Sequence, residues 1–173
     1  MSKFTDIMID IETLSSSPRA AVIQIGACAF NLRTGEIGPV FQTLVRPNLA
    51  HSEVSVATVV WWMQQDEAAR SHVARCDREG NGEASALLSL NAFWTTHAAH
   101  DACAWAMPPE FDLVILRNLY DANGVAMPWH FAMTRDLRTL EYLAGGSKDQ
   151  RVKPKTAHNA ADDAQAQAET AIS

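Results

Sequence analysis

The chain has 173 residues, of which 47% are apolar, and this is enough to bury one sizeable core within the usual range of a single domain. Its net charge of −6 argues against tight binding along a long duplex, because such binding relies on Lys and Arg. No apolar run reaches the length of a membrane span, no signal-peptide core is present, and the three cysteines lack metal-ligand spacing. We therefore expect one cytoplasmic domain over residues 1–173, with no membrane partner.

The first third of the chain predicts three strands. Apolar, β-branched stretches lie near residues 4–10, 21–30 and 39–46, and Thr34-Gly35 forms a turn signal between the last two. Consecutive strands joined by short turns favour an antiparallel meander.

The middle of the chain predicts helices over residues 55–77 and 83–99. The segment Gly80-Asn81-Gly82 separates them, because glycine and asparagine favour a break. A short strand is expected next, near residues 102–106.

The last third alternates helices and strands. Apolar residues at a period near 3.6 predict a helix from Phe111 to Asn123, which Gly124 ends. A short strand near 130–134 and a helix over about 136–144 follow, and Gly145-Gly146 ends this helix. After a basic loop an alanine-rich helix runs to the carboxyl terminus, and we expect the small Ala160 and Ala164 to let it approach the sheet and bring Asp163 toward Asp10. This alternation places the chain in the α/β class.

Acidic residues stand at three places in this scheme. Asp10 and Glu12 are two residues apart on the first strand, so they project to one side of the sheet, where two carboxylates can hold a divalent cation. Asp112, at the start of a helix, and Asp163, on the last helix, are the best candidates for further ligands.

His158 adds a candidate general base. Hydrolysis of a phosphodiester needs an activated water, neutralised phosphate charge and a stabilised leaving oxygen, which two metal ions about 3.5–4 Å apart can supply. A histidine that does not ligate the metals can accept the proton of the attacking water. The residue types therefore predict metal-dependent phosphodiester hydrolysis.

Each motif also has a purely structural interpretation. An Asp-x-Glu pair after a strand is usually a solvated turn or a helix cap, and a lone histidine is usually a polar surface residue. Asn159 is the predicted N-cap of the last helix, so Asp162 falls at the third helical position, where an acid favours the helix dipole. We interpret Asp162 as part of the cap, and it is the combination of the other motifs that favours catalysis.

The motifs Asp10-Ile-Glu12, Phe111-Asp112 and His158-x4-Asp163 resemble, in this order, those of the DEDDh 3′–5′ exonucleases of the ribonuclease H-like superfamily. Three other segments resemble the branch that holds phage exonuclease A and the small adenylate-directed exoribonucleases; these are Ala21-Val-Ile-Gln-Ile-Gly-Ala27, Trp61-Trp62-x-x-Gln65 and Arg135-Asp-Leu-Arg-Thr139. The resemblance implies a ribonuclease H-like α/β fold with a mixed five-stranded sheet flanked by helices.

The resemblance also implies roles for individual residues. Asp10, Glu12, Asp112 and Asp163 match the family's metal ligands, which would hold two Mg²⁺ or Mn²⁺ ions, and His158 matches its general base. The implied enzyme releases nucleoside 5′-monophosphates from the 3′ end of single-stranded RNA or DNA, and several relatives are homodimers. The choice between RNA and DNA stays open at this stage.

Candidate substrate contacts are less specific. They are Thr13, Trp62, Gln65 and Phe111. The rings of Trp61 and Trp62 can stack on bases, although at least one of two adjacent helical residues is expected in the core. The basic segment Lys148–Lys155 is interpreted equally well as a guide for the phosphate backbone or as a solvated loop.

One segment departs from the family pattern. Relatives usually carry a Gly- and Asn-containing loop before the Phe-Asp pair, whereas this chain has Pro108-Pro109-Glu110. We expect the departure to affect substrate specificity more than catalysis, and two rival functions stay open. They are a nucleic-acid-binding module with an impaired site on the same fold, and a phosphohydrolase for small nucleotides.

Overall fold

The computed structural model describes residues 3–173. Within this range the chain forms six strands, β1 (Phe4–Thr13), β2 (Val22–Asn31), β3 (Glu36–Arg46), β4 (Asn81–Gly82), β5 (Ala98–Ala106) and β6 (Thr134–Asp136). Over the same residues it forms six α-helices, α1 (Val56–Met63), α2 (Glu67–Glu79), α3 (Glu83–His97), α4 (Asp112–Asn123), α5 (Leu137–Ala144) and α6 (Ala160–Ile172). Short 3₁₀ turns lie at Phe131–Met133 and Lys148–Gln150.

The strands form one mixed sheet in the order β4-β3-β2-β1-β5-β6. Strands β1, β2 and β3 are antiparallel neighbours, as the meander prediction required, and β5 pairs parallel to β1 on its other side. Strand β6 extends the sheet in parallel beyond β5. The predicted α/β class and ribonuclease H-like arrangement are therefore confirmed.

The predicted number of five strands is wrong, because β4 adds a sixth. Asn81 and Gly82 pair in parallel with Val45 and Arg46 at the end of β3. A Cβ atom on Gly80 would lie 2.6 Å from the backbone nitrogen of Arg46, so only glycine permits this close approach. The segment that predicts a break thus also pairs with the sheet.

The helices follow the predicted order with one division. The single helix expected over 55–77 is two helices, because Asp66 begins α2 as an N-cap whose side chain accepts a hydrogen bond from the Ala69 backbone at 2.9 Å. Helices α4 and α5 end as predicted, at Gly124 and Gly145, and both glycines have positive φ. The strand expected near 130–134 forms slightly later, after the 3₁₀ turn.

Helices cover both faces of the sheet because side chains alternate along each strand. Ile7, Ile9 and Ile11 of β1 are buried in the larger core, which includes apolar residues of α3 and α4. Met8 points to the opposite face and joins a smaller core with residues of α5 and α6. Asp10 and Glu12 continue the row of Met8, so the alternation directs both carboxylates toward α6.

Helix α6 packs directly against the backbone of the sheet at Gly26. Its buried residues Ala160, Ala164 and Ala168 follow one helical stripe of small side chains. They pack over β2 where Gly26 has no side chain, and a Cβ atom there would lie 2.1 Å from the carbonyl carbon of Ala160. This confirms the expectation that Ala160 and Ala164 let the helix approach the sheet.

Every helix among residues 3–173 is too short or too polar to cross a lipid bilayer.

Candidate active site

Three of the four predicted metal ligands meet between β1 and α6. Carboxylate oxygens of Asp10, Glu12 and Asp163 all lie within 4.8 Å of one another. The strand alternation places Asp10 and Glu12 on one face of β1, and the close packing of α6 against Gly26 brings Asp163 to them. Carboxylate oxygens at this spacing can hold a divalent cation.

Asp112 borders this group but is oriented by the backbone. It is the first residue of α4 and is only 4% exposed, and one carboxylate oxygen accepts a hydrogen bond from the Ile11 backbone at 3.2 Å. Its charge is among the causes that raise the pKa of both Asp10 and Glu12. Asp112 therefore lies beside the backbone that joins Asp10 to Glu12, and its charge acts on both of them.

The acids strongly disfavour simultaneous ionisation. Burial, followed by the charges of Asp112, Glu12 and Asp163, raises the pKa of Asp10 well above its usual value. Burial, followed by the charges of Asp163 and Asp112, raises the pKa of Glu12 to about 8. Burial raises the pKa of Asp112 to about 7 and that of Asp163 to about 6. A bound cation would relieve both causes, so the donor set fits a divalent metal ion.

His158 lies immediately before α6 in a strained turn. Its φ of 59° is in the left-handed region, a conformation that typically costs a residue other than glycine about 1–3 kcal/mol. The backbone N–H groups of His158 and Asn159 are close enough to the Asp163 carboxylate to oppose the rise in its pKa. The imidazole makes edge-on contacts with Trp61 and Trp62, at centroid distances of 4.9 and 6.0 Å.

The adjacent tryptophans have different environments. Trp62 is 2% exposed, and its indole N–H donates a hydrogen bond to the Thr13 carbonyl oxygen at 2.8 Å. Trp61 is 41% exposed. The ring of Trp62 is therefore inaccessible to a base in this conformation, whereas the ring of Trp61 is accessible.

The other predicted substrate contacts make local interactions. The Thr13 hydroxyl donates to the Ser15 carbonyl oxygen at 2.6 Å, and the Gln65 side chain donates to the Trp61 carbonyl oxygen at 2.9 Å. Phe111 is partly buried against the larger core, directly before Asp112. These three residues therefore shape the surroundings of the acids and of Trp61.

Gln167 is a site residue that the motifs do not indicate. Its side-chain N–H donates a hydrogen bond to a carboxylate oxygen of Asp10 at 2.7 Å, and its own oxygen is buried without a hydrogen-bond partner among the described residues. Gln167 lies four residues after Asp163, on the same face of α6. This spacing is the one signal in the sequence that points to it.

The basic segment borders the acids. A cavity of about 360 Å³ is lined by Lys148, Lys153, Asp163 and Gln167, among others. Arg151 also lines it, but its guanidinium forms two hydrogen bonds, of 2.6 and 2.7 Å, with the Glu141 carboxylate. The cavity thus combines lysine ammonium groups with an edge of the acidic site.

Comparisons with known proteins agree with this geometry. The chain is 27% identical over 159 residues to an exodeoxyribonuclease of Enterobacteria phage T4, covering 78% of this chain and 69% of that protein. A zinc-bound complex of E. coli exonuclease I with single-stranded DNA superposes with a TM-score of 0.71 at 15% identity, over 99% of this chain and 40% of that chain. E. coli exonuclease I in complex with a dA16 oligonucleotide gives a TM-score of 0.69 at 15% identity, over 96% and 39%.

The chain thus spans about 40% of the length of these exonuclease I chains, and at such low identity the likeness shows a shared fold. The model of the 3′–5′ exoribonuclease Rv2179c-like domain matches residues 5–172, nearly the whole chain. The chain therefore belongs to the 3′–5′ exoribonuclease Rv2179c-like domain family, among the DEDDh 3′–5′ exonucleases that its motifs resemble.

Proposed function

We propose that this protein is a metal-dependent exonuclease that removes nucleoside 5′-monophosphates from the 3′ end of single-stranded RNA or DNA. The observation that carries the proposal is the group of Asp10, Glu12 and Asp163 carboxylates within 4.8 Å of one another. Asp112 borders this group, and His158 lies two residues before the helix that carries Asp163.

Two Mg²⁺ or Mn²⁺ ions, held by Asp10, Glu12, Asp112 and Asp163, would neutralise phosphate charge and increase the acidity of the attacking water. His158 accepts the proton of this water on a ring nitrogen. Trp61 and Trp62 restrict the orientation of the His158 ring through their edge contacts. Gln167 fixes one carboxylate oxygen of Asp10 by its hydrogen bond.

The surroundings of the site favour a flexible single strand. Trp61 offers an exposed aromatic ring next to His158, and such rings stack on unpaired bases. Lys148 and Lys153 attract backbone phosphates toward the cavity beside Asp163. The exonuclease I complexes contain single-stranded DNA, which supports the same class of substrate here.

The test is a gel time course with 5′-labelled RNA and DNA of one sequence, each single-stranded or with a 3′ overhang. We expect stepwise shortening from the 3′ end with Mg²⁺ or Mn²⁺ and none with EDTA, together with release of nucleoside 5′-monophosphates. The faster substrate then distinguishes RNA from DNA. Asp163→Asn protein, purified in the same way, controls for contaminating nucleases.

Intact polymers in every reaction with folded protein would contradict the proposal. Binding without cleavage would then favour an impaired binding module, whereas turnover of free nucleotides alone would favour a small-nucleotide phosphohydrolase. Shortening by the Asp163→Asn variant at the wild-type rate would instead contradict the assignment of the site.

A homodimer and a cytoplasmic location are further parts of the proposal. Cys28 and Cys76 are buried free thiols and Cys103 is a partly buried one, which agrees with a reducing compartment. Sedimentation velocity of the purified protein tests the dimer, since a single species with the mass of one chain would exclude it under those conditions.

A further inference from the structure

A buried polar network outside the acidic group, made of the side chains of Gln24, His72 and Asn159, connects β2, α2 and the start of α6. Its centre is His72 of α2, which is 6% exposed. One ring nitrogen lies 3.4 Å from the side-chain nitrogen of Gln24, which is completely buried on β2. The other ring nitrogen lies 3.4 Å from the side-chain nitrogen of Asn159, the N-cap of α6.

Backbone groups set the orientations of the two side-chain amides in this network. The side-chain oxygen of Gln24 accepts a hydrogen bond from the Ala160 backbone at 2.9 Å. The side-chain oxygen of Asn159 accepts from the backbones of Ala161 and Asp162, both at 3.1 Å. Because both oxygens are already used at the first turn of α6, both NH₂ groups face His72.

This arrangement requires a neutral imidazole. A neutral ring has one nitrogen that accepts a hydrogen bond, whereas a protonated ring has none and would oppose two donors. Burial lowers the pKa of His72, the charge of Arg75 lowers it further, and that of Asp162 opposes them. His72 can therefore accept one of the two amide hydrogen bonds.

The residues that this polar network contacts at the start of α6 directly follow His158. The left-handed backbone of His158 is a conformation that residues other than glycine rarely adopt, so neighbouring contacts must maintain it. Asn159 and Ala160 are the next two residues, and they are the ones that His72 and Gln24 contact. Gly26, two residues after Gln24 on β2, leaves the space in which Ala160 lies.

We propose that His72 is a positioning residue that accepts a hydrogen bond from the Asn159 side chain, contacts the Gln24 amide, and so holds the turn that orients His158 for proton transfer. This inference rests on the proposed exonuclease reaction, and it adds a function for the polar network between α2 and α6. Residues that orient a catalytic group in this way typically change activity by about 10- to 100-fold when they are replaced.

The test is a double-mutant cycle between His72 and His158. His72→Leu fills much of the ring volume but removes both nitrogens, and we expect it to lower kcat about tenfold with little change in KM. In a His158→Ala background the same change should lower kcat by less than about twofold, because a residue that acts through His158 has no effect without it.

Two further variants separate the hydrogen bond from packing. His72→Gln restores an acceptor and should recover most of the lost kcat. Asn159→Ser keeps an oxygen that can cap α6 but removes the NH₂ group that faces His72, so it should lower kcat even if His72→Leu does not fold. Cys76→Ala is the matched control, since Cys76 is buried on the same helix and its thiol bonds within that helix. It should leave kcat unchanged.

Hydrogen exchange gives a readout that does not need turnover. In His72→Leu and in Asn159→Ser, the backbone amides of Ala160, Ala161 and Asp162 should exchange faster than in the wild type, whereas in Cys76→Ala they should not. Unchanged exchange in both test variants, or an equal loss of kcat in both His158 backgrounds, would overturn the inference. Absence of turnover by wild-type protein would overturn the proposed function, and the exchange result would still decide whether His72 holds the turn.

Discussion

Asp10 is the acid most constrained by its neighbours. It is surrounded by three other carboxylates, and one of its oxygens accepts a hydrogen bond from Gln167, which lowers its pKa against the combined effect of burial and repulsion. A glutamine at this position donates a hydrogen bond without adding charge. Gln167 therefore orients a metal ligand without increasing the repulsion within the group.

Replacement of Gln167 by Ala should lower activity about tenfold and raise the Mn²⁺ concentration needed for half-maximal activity, because Asp10 loses the group that orients it. The measurement is a titration of initial rate against Mn²⁺. Gln165→Ala is the matched control, since this glutamine lies on the same helix and bonds to Glu169 instead. Identical Mn²⁺ titrations for the two variants would exclude a special role for Gln167.

The exposed ring of Trp61 should contribute to substrate binding. Trp61→Ala should raise KM for oligonucleotides by roughly tenfold, since a base stacked on an aromatic ring contributes about 1–3 kcal/mol. Met63→Ala removes a neighbouring exposed side chain of α1 and serves as the control. An unchanged KM in Trp61→Ala would show that the terminal bases bind elsewhere.

At the scale of elements, the site depends on how closely α6 approaches β2. The period-2 alternation of β1 was sufficient to predict that Asp10 and Glu12 share a face, and the small residues of α6 predicted its close packing. The pairing of β4 was not predictable from two residues, because a strand this short is defined only by its partner. Gln167 was missed because its contact joins residues 157 positions apart.

Substitution of Gly26 by Ala tests this close approach. The added Cβ atom would lie 2.1 Å from backbone atoms of Ala160, so α6 must move, and overpacking of this kind typically costs about 1–3 kcal/mol or more. We expect a lower free energy of unfolding in urea and a loss of activity, since Asp163 moves with the helix. Gly82→Ala has no atom within 4 Å of the new Cβ, and since Gly82 is only the N-cap of α3 the change should cost about 1 kcal/mol or less. Equal stability of the two variants would contradict this account of the helix position.

At the scale of the whole molecule, the acidic site opposes folding when no cation is present. The four carboxylates are brought together by β1, α4 and α6, so their repulsion exists only in the folded chain. An acid whose pKa is raised on folding binds its proton more tightly in the folded state than in the unfolded state. Its contribution therefore stabilises the fold at low pH and is lost as the pH rises through the folded pKa.

The metal-free protein should accordingly lose stability across the interval set by these pKa values. For Glu12 this interval runs from 4.5 in the unfolded chain to about 8 in the folded one, and Asp112 and Asp163 lose their contributions by about 7 and about 6. Urea unfolding in EDTA at pH 5, 6.5 and 8 measures the loss, and Mg²⁺ should restore stability most at pH 8, because it binds the ionised acids of the folded state. The free energy of unfolding of the Asp10→Asn variant should depend less on pH, since the substitution removes one of the interacting charges. If the free energy of unfolding in EDTA stayed constant or rose with pH, the four acids would not repel one another in the folded protein, and this account would be wrong.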